Sequence, residues 1–178
     1  MKPENSGKME DSEQTVAPGS DSESALLILM EDHKRVRKLF ADFKKFKQSQ
    51  DGADAEKADL VRQICQELLI HAQVEEEIFY PAVREAIADQ DIMDEADVEH
   101  DGAKNLIEQI QAMDADESHF DAKVKVLGEM IDHHVTEERE KMFPQARKSG
   151  LDLKAMVPQL EERKAQVKQE LSEGVAAS

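Results

Sequence analysis

The sequence repeats one phrase, in which a histidine and a glutamate stand four residues apart and a proline follows six residues after the glutamate. The first copy is His71-Ala-Gln-Val-Glu75 with Pro81, and the second is His134-Val-Thr-Glu-Glu138 with Pro144. Residues i and i+4 stack on one face of an α-helix, so each copy points an imidazole and a carboxylate in the same direction. The repeat therefore predicts two helices that each present a pair of metal-ligand side chains.

Apolar residues at helical spacing run through both phrases and through two further histidines, His33 and His100. All four histidines and both glutamates therefore lie on faces that should be buried. The spacing predicts five helices, the second of which can continue past Pro81 to Ala88, over residues 24–48, 54–80, 90–113, 118–143 and 152–172. A proline inside a helix removes a backbone hydrogen bond, so we expect a kink or an end at Pro81 and Pro144.

The composition agrees with a helical protein. Of the 178 residues, 35% are charged and only 4% are aromatic, which favours helices over sheet. We predict an all-α fold, an up-down four-helix bundle over 24–172 whose short last helix packs across one end. Residues 1–23 are polar and acidic and should form a disordered tail, Asp51-Gly52 should form a turn, and 173–178 should be frayed.

The net charge of −17 argues against binding to nucleic acid or to an anionic membrane surface. The single cysteine, Cys65, can form neither an intramolecular disulfide nor a thiolate metal site. The amino-terminal residues do not resemble an export signal, and no apolar run is long enough for a membrane span. We therefore expect a cytoplasmic protein.

Carboxylates on an apolar face need a partner, because burying an unpaired charge is costly. The sequence places no basic residue on these stripes, whereas metal cations would satisfy the carboxylates and the imidazoles together. A nitrogen and oxygen donor set without sulfur suits iron, manganese or zinc, and carboxylates that can bridge favour a pair of ions. The predicted ligands are His33, His71, Glu75, His100, His134 and Glu138.

Three assignments had competing interpretations. His133 and Glu137 form the same phrase in a register shifted by one residue, but His134 matches the distance of His71 to its proline. Glu76 belongs to a run of charged residues, which usually faces solvent. Tyr80 is expected to pack with its hydroxyl exposed to solvent.

These residues resemble the hemerythrin-like family, the HHE cation-binding domain, over about residues 24–170. The resemblance implies two iron ions (Fe²⁺/Fe³⁺) joined by an oxo or hydroxo bridge, with manganese or zinc as possible substitutes. It also implies that Glu75 and Glu138 bridge the ions, that His33 and His71 bind one ion, and that His100 and His134 bind the other. Phe79-Tyr80-Pro81 and Met142-Phe143-Pro144 close the two halves of the motif.

The chain departs from oxygen-carrying hemerythrins at Lys104, where those proteins have a fifth histidine. That departure predicts an open coordination position on each ion, unless Glu31, Asp32, Glu99 or a hydroxide fills it. Open positions suit O2, H2O2 or NO, so the resemblance implies a binding protein for such a molecule, which as a sensor would need a protein partner. A peroxide-disproportionating enzyme, an iron store, and a zinc or metal-free structural bundle are the alternatives, and the sequence does not decide whether the protein is an enzyme.

Overall fold

The computed structural model describes residues 24–49 and 54–176, which form helices and their connections without any strand. The predicted acidic tail, the Asp51-Gly52 turn and residues 177–178 lie outside the described residues. The helices are α1 (Ala25–Ser49), α2 (Asp54–Val74), α3 (Tyr80–Ala86), α4 (Gln90–Gln111), α5 (Phe120–Glu137), α6 (Phe143–Lys148) and α7 (Val157–Ala176), and two π-helical segments are π1 (Glu75–Phe79) and π2 (Glu138–Met142).

The helices that carry the repeated phrase do not end at their prolines. Instead, π1 joins α2 to α3 and π2 joins α5 to α6, so that each forms one continuous helix. The N–H of Tyr80 donates to the carbonyl of Glu75, and that of Phe143 donates to the carbonyl of Glu138, both five residues back. A proline ring clashes with the carbonyl four residues before it, and a π-turn is one way to re-route the hydrogen bonds there. The predicted disturbance is thus a π-turn rather than a helix end.

The bundle is antiparallel throughout, as predicted, and its core shows this directly. Two apolar clusters occupy the two ends of the bundle, one around Leu29 and Phe79 and the other around Val36 and Leu68. Along α1 the chain passes from the first cluster to the second, and along α2 it returns to the first. Helix α4 and the continuous helix formed by α5, π2 and α6 repeat this alternation. The predicted all-α, up-down four-helix bundle is therefore confirmed, and a polar layer separates its two clusters.

Helix α7 differs from the prediction in its bounds and in its position. It begins at Val157 and ends at Ala176, so residues 173–176 are helical. Pro158 is tolerated in the first turn, where a backbone N–H has no helical partner. Met156 and Leu160 join the apolar cluster that contains Phe79, and α7 lies against α1 and α2 rather than only covering one end. Gly150, at φ 82°, allows the chain to leave α6 and turn towards α7.

Within the described ranges, each helix is too short or too polar to cross a lipid bilayer.

Leu160→Ala should loosen α7, because Leu160 is fully buried in the cluster that α7 shares with the bundle. We expect a loss of about 3 kcal/mol in the free energy of unfolding, measured by urea denaturation. Leu171→Ala in the same helix is the matched control, since Leu171 is only half-buried, and it should cost about 1 kcal/mol or less. Equal losses for the two variants would contradict the packing of α7 described above.

Candidate metal centre

The polar layer between the two apolar clusters contains all of the predicted ligands. Each of these residues is buried, with at most 5% of its surface exposed. They come from the four bundle helices: His33 from α1, His71 and Glu75 from α2 and π1, His100 from α4, and His134 and Glu138 from α5 and π2. Their potential ligand atoms form two groups, within each of which all atoms lie within 4.8 Å of one another.

The first half-site consists of His33, His71, Glu75 and Glu138. The Nε2 atoms of His33 and His71 are 3.0 Å apart. Oε2 of Glu75 lies 3.1 Å from Nε2 of His71, and Oε2 of Glu138 lies 3.1 Å from Nε2 of His33. The pairing of His33 with His71 is the one that the family resemblance implies.

The second half-site consists of Glu75, His100 and His134. The Nε2 atoms of His100 and His134 are 3.1 Å apart, and Oε2 of Glu75 lies 3.5 Å from Nε2 of His100. Oε2 of Glu138 lies 3.6 Å from Nε2 of His134. Both carboxylates therefore stand between the two histidine pairs, where a bridging carboxylate would have to be.

Carboxylates outside the layer fix the orientation of the second pair of imidazoles. Nδ1 of His100 donates to Oε1 of Glu76 at 2.8 Å, and Nδ1 of His134 donates to Oε2 of Glu99 at 2.8 Å. Since a carboxylate only accepts, these contacts assign the proton of each neutral imidazole to Nδ1. The Nε2 lone pairs of both rings then face each other across 3.1 Å.

This arrangement fits a cation. Two lone pairs at this distance repel each other unless a proton on one ring or a metal ion lies between them. Donors about 2.1 Å from one ion and at right angles to each other are about 3.0 Å apart, which matches both imidazole pairs. In addition, Oε1 of Glu75 is buried and has no hydrogen-bond partner among the described residues. The donor atoms are thus arranged to bind a metal ion rather than to form hydrogen bonds with one another.

The electrostatics of the layer support the same interpretation. Burial raises the pKa of Glu75 well above its usual value, and the neighbouring carboxylate of Glu138 raises it further. Burial also raises the pKa of Glu138, but His134, His33 and His71 outweigh it, so that this pKa is lowered. Burial lowers the pKa of His71 to about 4, which keeps this imidazole neutral and able to coordinate.

The hydroxyl of Tyr80 was expected to be exposed to solvent, but it is buried among the predicted ligands. The hydroxyl donates to Oε1 of Glu138 at 2.9 Å and lies 3.1 Å from Nε2 of His100 and 3.3 Å from Nε2 of His134. On an α-helix, residues five apart point about 140° away from each other. The π-turn that begins at Glu75 brings Tyr80 back onto the same face, which regular helical spacing cannot indicate.

The expectation for Glu76 was also wrong, and Asp32 and Glu99, which were considered only as ligands for an open coordination position, face the Nδ1 atoms of His71 and His134. Each of these acids is adjacent in sequence to a predicted ligand and therefore points about 100° away from it. From there Glu76 and Glu99 reach the histidines of neighbouring helices, while Asp32 places Oδ2 3.5 Å from Nδ1 of His71. Adjacency to a ligand was the available signal, but it does not say which histidine each acid serves.

Lys104 and His133 also lie near the layer but do not enter it. Nζ of Lys104 donates to Oε2 of Glu76 at 2.5 Å. Beside Lys104 a small cavity of about 20 Å³ is lined by the four histidines and by apolar side chains. His133 points outwards, with 66% of its side chain exposed, whereas His134 is buried.

Comparison with known proteins agrees with this geometry. The family model of the hemerythrin HHE cation binding domain matches residues 24–146. A DNA nickase of Nostoc sp. is 31% identical over 130 residues, which are 72% of this chain but 35% of that protein, so the chain spans about a third of the length of this relative. The crystal structure of a hemerythrin HHE cation binding domain-containing protein from Mycobacterium kansasii superposes with a TM-score of 0.67 at 18% identity, over 83% of this chain and 88% of that one. At this identity the likeness shows the fold alone.

Because His134 is buried and His133 is exposed, we expect their replacement by alanine to affect the metal content differently. His134→Ala removes a buried donor of the second half-site and should lower the metal content of the purified, iron-supplemented protein by about one ion per chain. His133→Ala removes an exposed side chain and should leave the metal content unchanged. Elemental analysis measures both, and a loss confined to His133→Ala would shift the ligand register by one residue.

Proposed function

The chain belongs to the hemerythrin HHE cation-binding family, and from this premise we propose that it is a di-iron protein that binds O2 or a related reactive small molecule. The observation that carries the proposal is the buried layer in which two pairs of imidazoles face two shared carboxylates. The Nε2 atoms of the second imidazole pair are 3.1 Å apart in the core, a spacing that suits two ligands of one ion.

Iron is the metal that this donor set favours. Imidazole and carboxylate ligands without thiolate suit iron, manganese and zinc, and shared carboxylates are typical of paired iron ions in helical bundles. His33 and His71 would hold one ion, His100 and His134 the other, and Glu75 and Glu138 both. When bound, ferrous ions supply electrons for the reduction of O2 or peroxide.

The surroundings of the layer suit a small ligand and exclude a large one. A cavity of about 20 Å³ adjoins the four imidazoles, which is room for about one water-sized molecule. Apolar residues, among them Leu68 and Ile107, form the cavity wall and keep bulk water away from the imidazoles. Lys104 stands at the edge of the cavity with its ammonium group bound to Glu76. A molecule the size of O2, H2O2 or NO fits these dimensions.

Tyr80 places a hydroxyl beside the imidazoles of the second half-site. Burial raises the pKa of its phenol well above the usual value, and Glu138 and Glu75 raise it further, so the hydroxyl remains protonated. It donates to Oε1 of Glu138 and thereby holds this carboxylate in orientation.

Peroxide disproportionation is a second candidate, favoured by the buried hydroxyl of Tyr80 beside the imidazoles of the second half-site. Proton delivery is needed to cleave peroxide, whereas reversible binding of O2 or NO does not require a protein acid. Iron storage is not favoured by any further feature of the described residues.

The resemblance to a DNA nickase does not lead us to propose DNA as a substrate. The chain carries a net charge of −17, which repels a phosphate backbone. Basic side chains of α1 already face carboxylates, since Arg35 pairs with Glu67 and Arg37 pairs with Asp132. We therefore propose that the similarity reflects a shared cation-binding domain.

Glu138→Ala tests the shared carboxylate and with it the proposed pair of ions. Purified under aerobic conditions with iron, the unaltered protein should contain two ions per chain and absorb in the near ultraviolet, as ferric centres do. Glu138→Ala should lose at least one ion and most of this absorption. Glu137→Ala is the matched control, because Glu137 pairs with Lys141 outside the layer and its loss should change neither quantity. A colourless protein rich in zinc would contradict the proposal.

His71→Ala separates an enzyme from a binding protein. If peroxide disproportionation is the function, the iron-loaded protein should release O2 from H2O2 at least tenfold faster than His71→Ala, measured with an oxygen electrode. If binding is the function, the two should be equally slow. In that case mixing the reduced, unaltered protein with O2 or NO should change its visible spectrum stoichiometrically, a change that His71→Ala lacks.

A further inference from the structure

Helix α7 reaches the candidate metal centre although it lies outside residues 24–146, which the family model matches. Nζ of Lys164 donates to Oδ1 of Asp32 at 2.5 Å. Asp32 is only 3% exposed and immediately precedes His33. This ion pair connects residues 132 positions apart and places a charge of α7 beside the first half-site.

The other oxygen of Asp32 faces the imidazole of His71. Oδ2 lies 3.5 Å from Nδ1 of His71, and neither buried atom has a hydrogen-bond partner closer than this among the described residues. Since Nε2 of His71 belongs to the first half-site, Nδ1 must find its partner on the opposite side of the ring. Asp32 is the acceptor placed to provide it.

The second half-site has the same three groups in the same order, an imidazole, a carboxylate and an ammonium group. His100 donates to Glu76, and Glu76 accepts from Lys104. Here the lysine comes from the same helix as the histidine, one turn further along. Both half-sites thus use an imidazole, a carboxylate and an ammonium group in line, but the first obtains its ammonium group from α7.

Among the described residues, Lys164 is the cation that contacts Asp32 within hydrogen-bond distance. Arg35 is the nearest alternative, yet its Nη1 lies 3.8 Å from Oδ1 of Asp32 and 3.0 Å from Glu67, with which it pairs. A groove of about 430 Å³ between α1 and α7 is lined by Asp32, Arg35 and Lys164. Without the ammonium group, the carboxylate would be free to turn towards this groove and away from His71.

We propose that Lys164 is a positioning residue of the metal centre, through which α7 stabilises the ion held by His33 and His71. The inference rests on the proposed function, because it requires a metal in the first half-site. Carboxylates that accept from a metal-bound imidazole fix its orientation, and their loss typically weakens metal binding 10- to 100-fold. The effect should be confined to one of the two ions, since Lys104 serves the other half-site.

Metal release from the loaded, full-length protein tests this proposal. After excess EDTA is added, Lys164→Met should release one of its two ions at least tenfold faster than the unaltered protein and the other at an unchanged rate. Lys164→Arg, which keeps a cation on the same helix, should restore most of the retention. In a His71→Ala background, Lys164→Met should lower the metal content no further, because its effect passes through His71.

Arg163→Met is the matched control on the same helix. Arg163 pairs with Glu77 and Glu170 but does not contact Asp32 in the described structure, so its loss weakens the docking of α7 without touching the first half-site. Both ions should then leave at the unaltered rate. If Arg163→Met also releases one ion selectively, the docking of α7 rather than Lys164 is responsible, and the proposal is overturned.

The outcomes distinguish this proposal from the proposed function. If the unaltered protein does not hold two ions, the proposed function fails. If it does, but Lys164→Met releases both at the unaltered rate, only the role of Lys164 fails. Far-ultraviolet circular dichroism verifies that Lys164→Met retains its helices, and Lys164→Gln, which keeps a polar group at the groove, takes its place if it does not.

Discussion

The structure depends on two carboxylates that are buried where a bundle would ordinarily place leucine. Glu75 and Glu138 are at most 1% exposed, and no lysine or arginine among the described residues forms an ion pair with either. Desolvating a carboxylate costs several kcal/mol. The neighbouring imidazoles offset this cost for Glu138, whose pKa is lowered, but not for Glu75, whose pKa is raised. A cation between the carboxylates removes this imbalance. The polar layer that divides the core into two clusters is therefore best understood as a binding site.

The two halves of the repeat are alike in backbone but not in chemistry. Each has a π-turn that starts at the shared glutamate and is followed by an aromatic residue and a proline. In the first copy the aromatic residue is Tyr80, whose hydroxyl approaches the second half-site. In the second copy it is Phe143, whose ring stacks on His33 with the centroids 5.9 Å apart. One half-site therefore faces a proton donor and the other an apolar ring, so two ions held there would not be equivalent.

Regular helical spacing explains why the sequence predicted so much of this structure. His33 and His100 were placed on buried faces because the neighbouring apolar residues follow the 3.6-residue period, and the confirmed bundle follows from the same periodicity. Predictions from this spacing fail where the backbone departs from a regular α-helix. The hydroxyl of Tyr80 was expected to be exposed to solvent because regular spacing omits the π-turn, which changes the angular relation between residues five apart. Glu76 was assigned to solvent because its partner, His100, lies on another helix, which periodicity within one helix cannot reveal.

The position of α7 on the bundle is a second feature that the sequence does not determine. Its apolar residues indicated an amphipathic helix but not which surface of the bundle it would cover, because several surfaces offer an apolar contact. What fixes its position is a set of specific contacts, the burial of Leu160 and the ion pairs of Arg163 and Lys164 with Glu77 and Asp32. Because Asp32 lies between Lys164 and His71, the ion pair of Lys164 with Asp32 is coupled to the geometry of the first half-site. The second half-site obtains its outer carboxylates and lysine entirely from the bundle, so the loss of Lys164 should affect the two half-sites unequally.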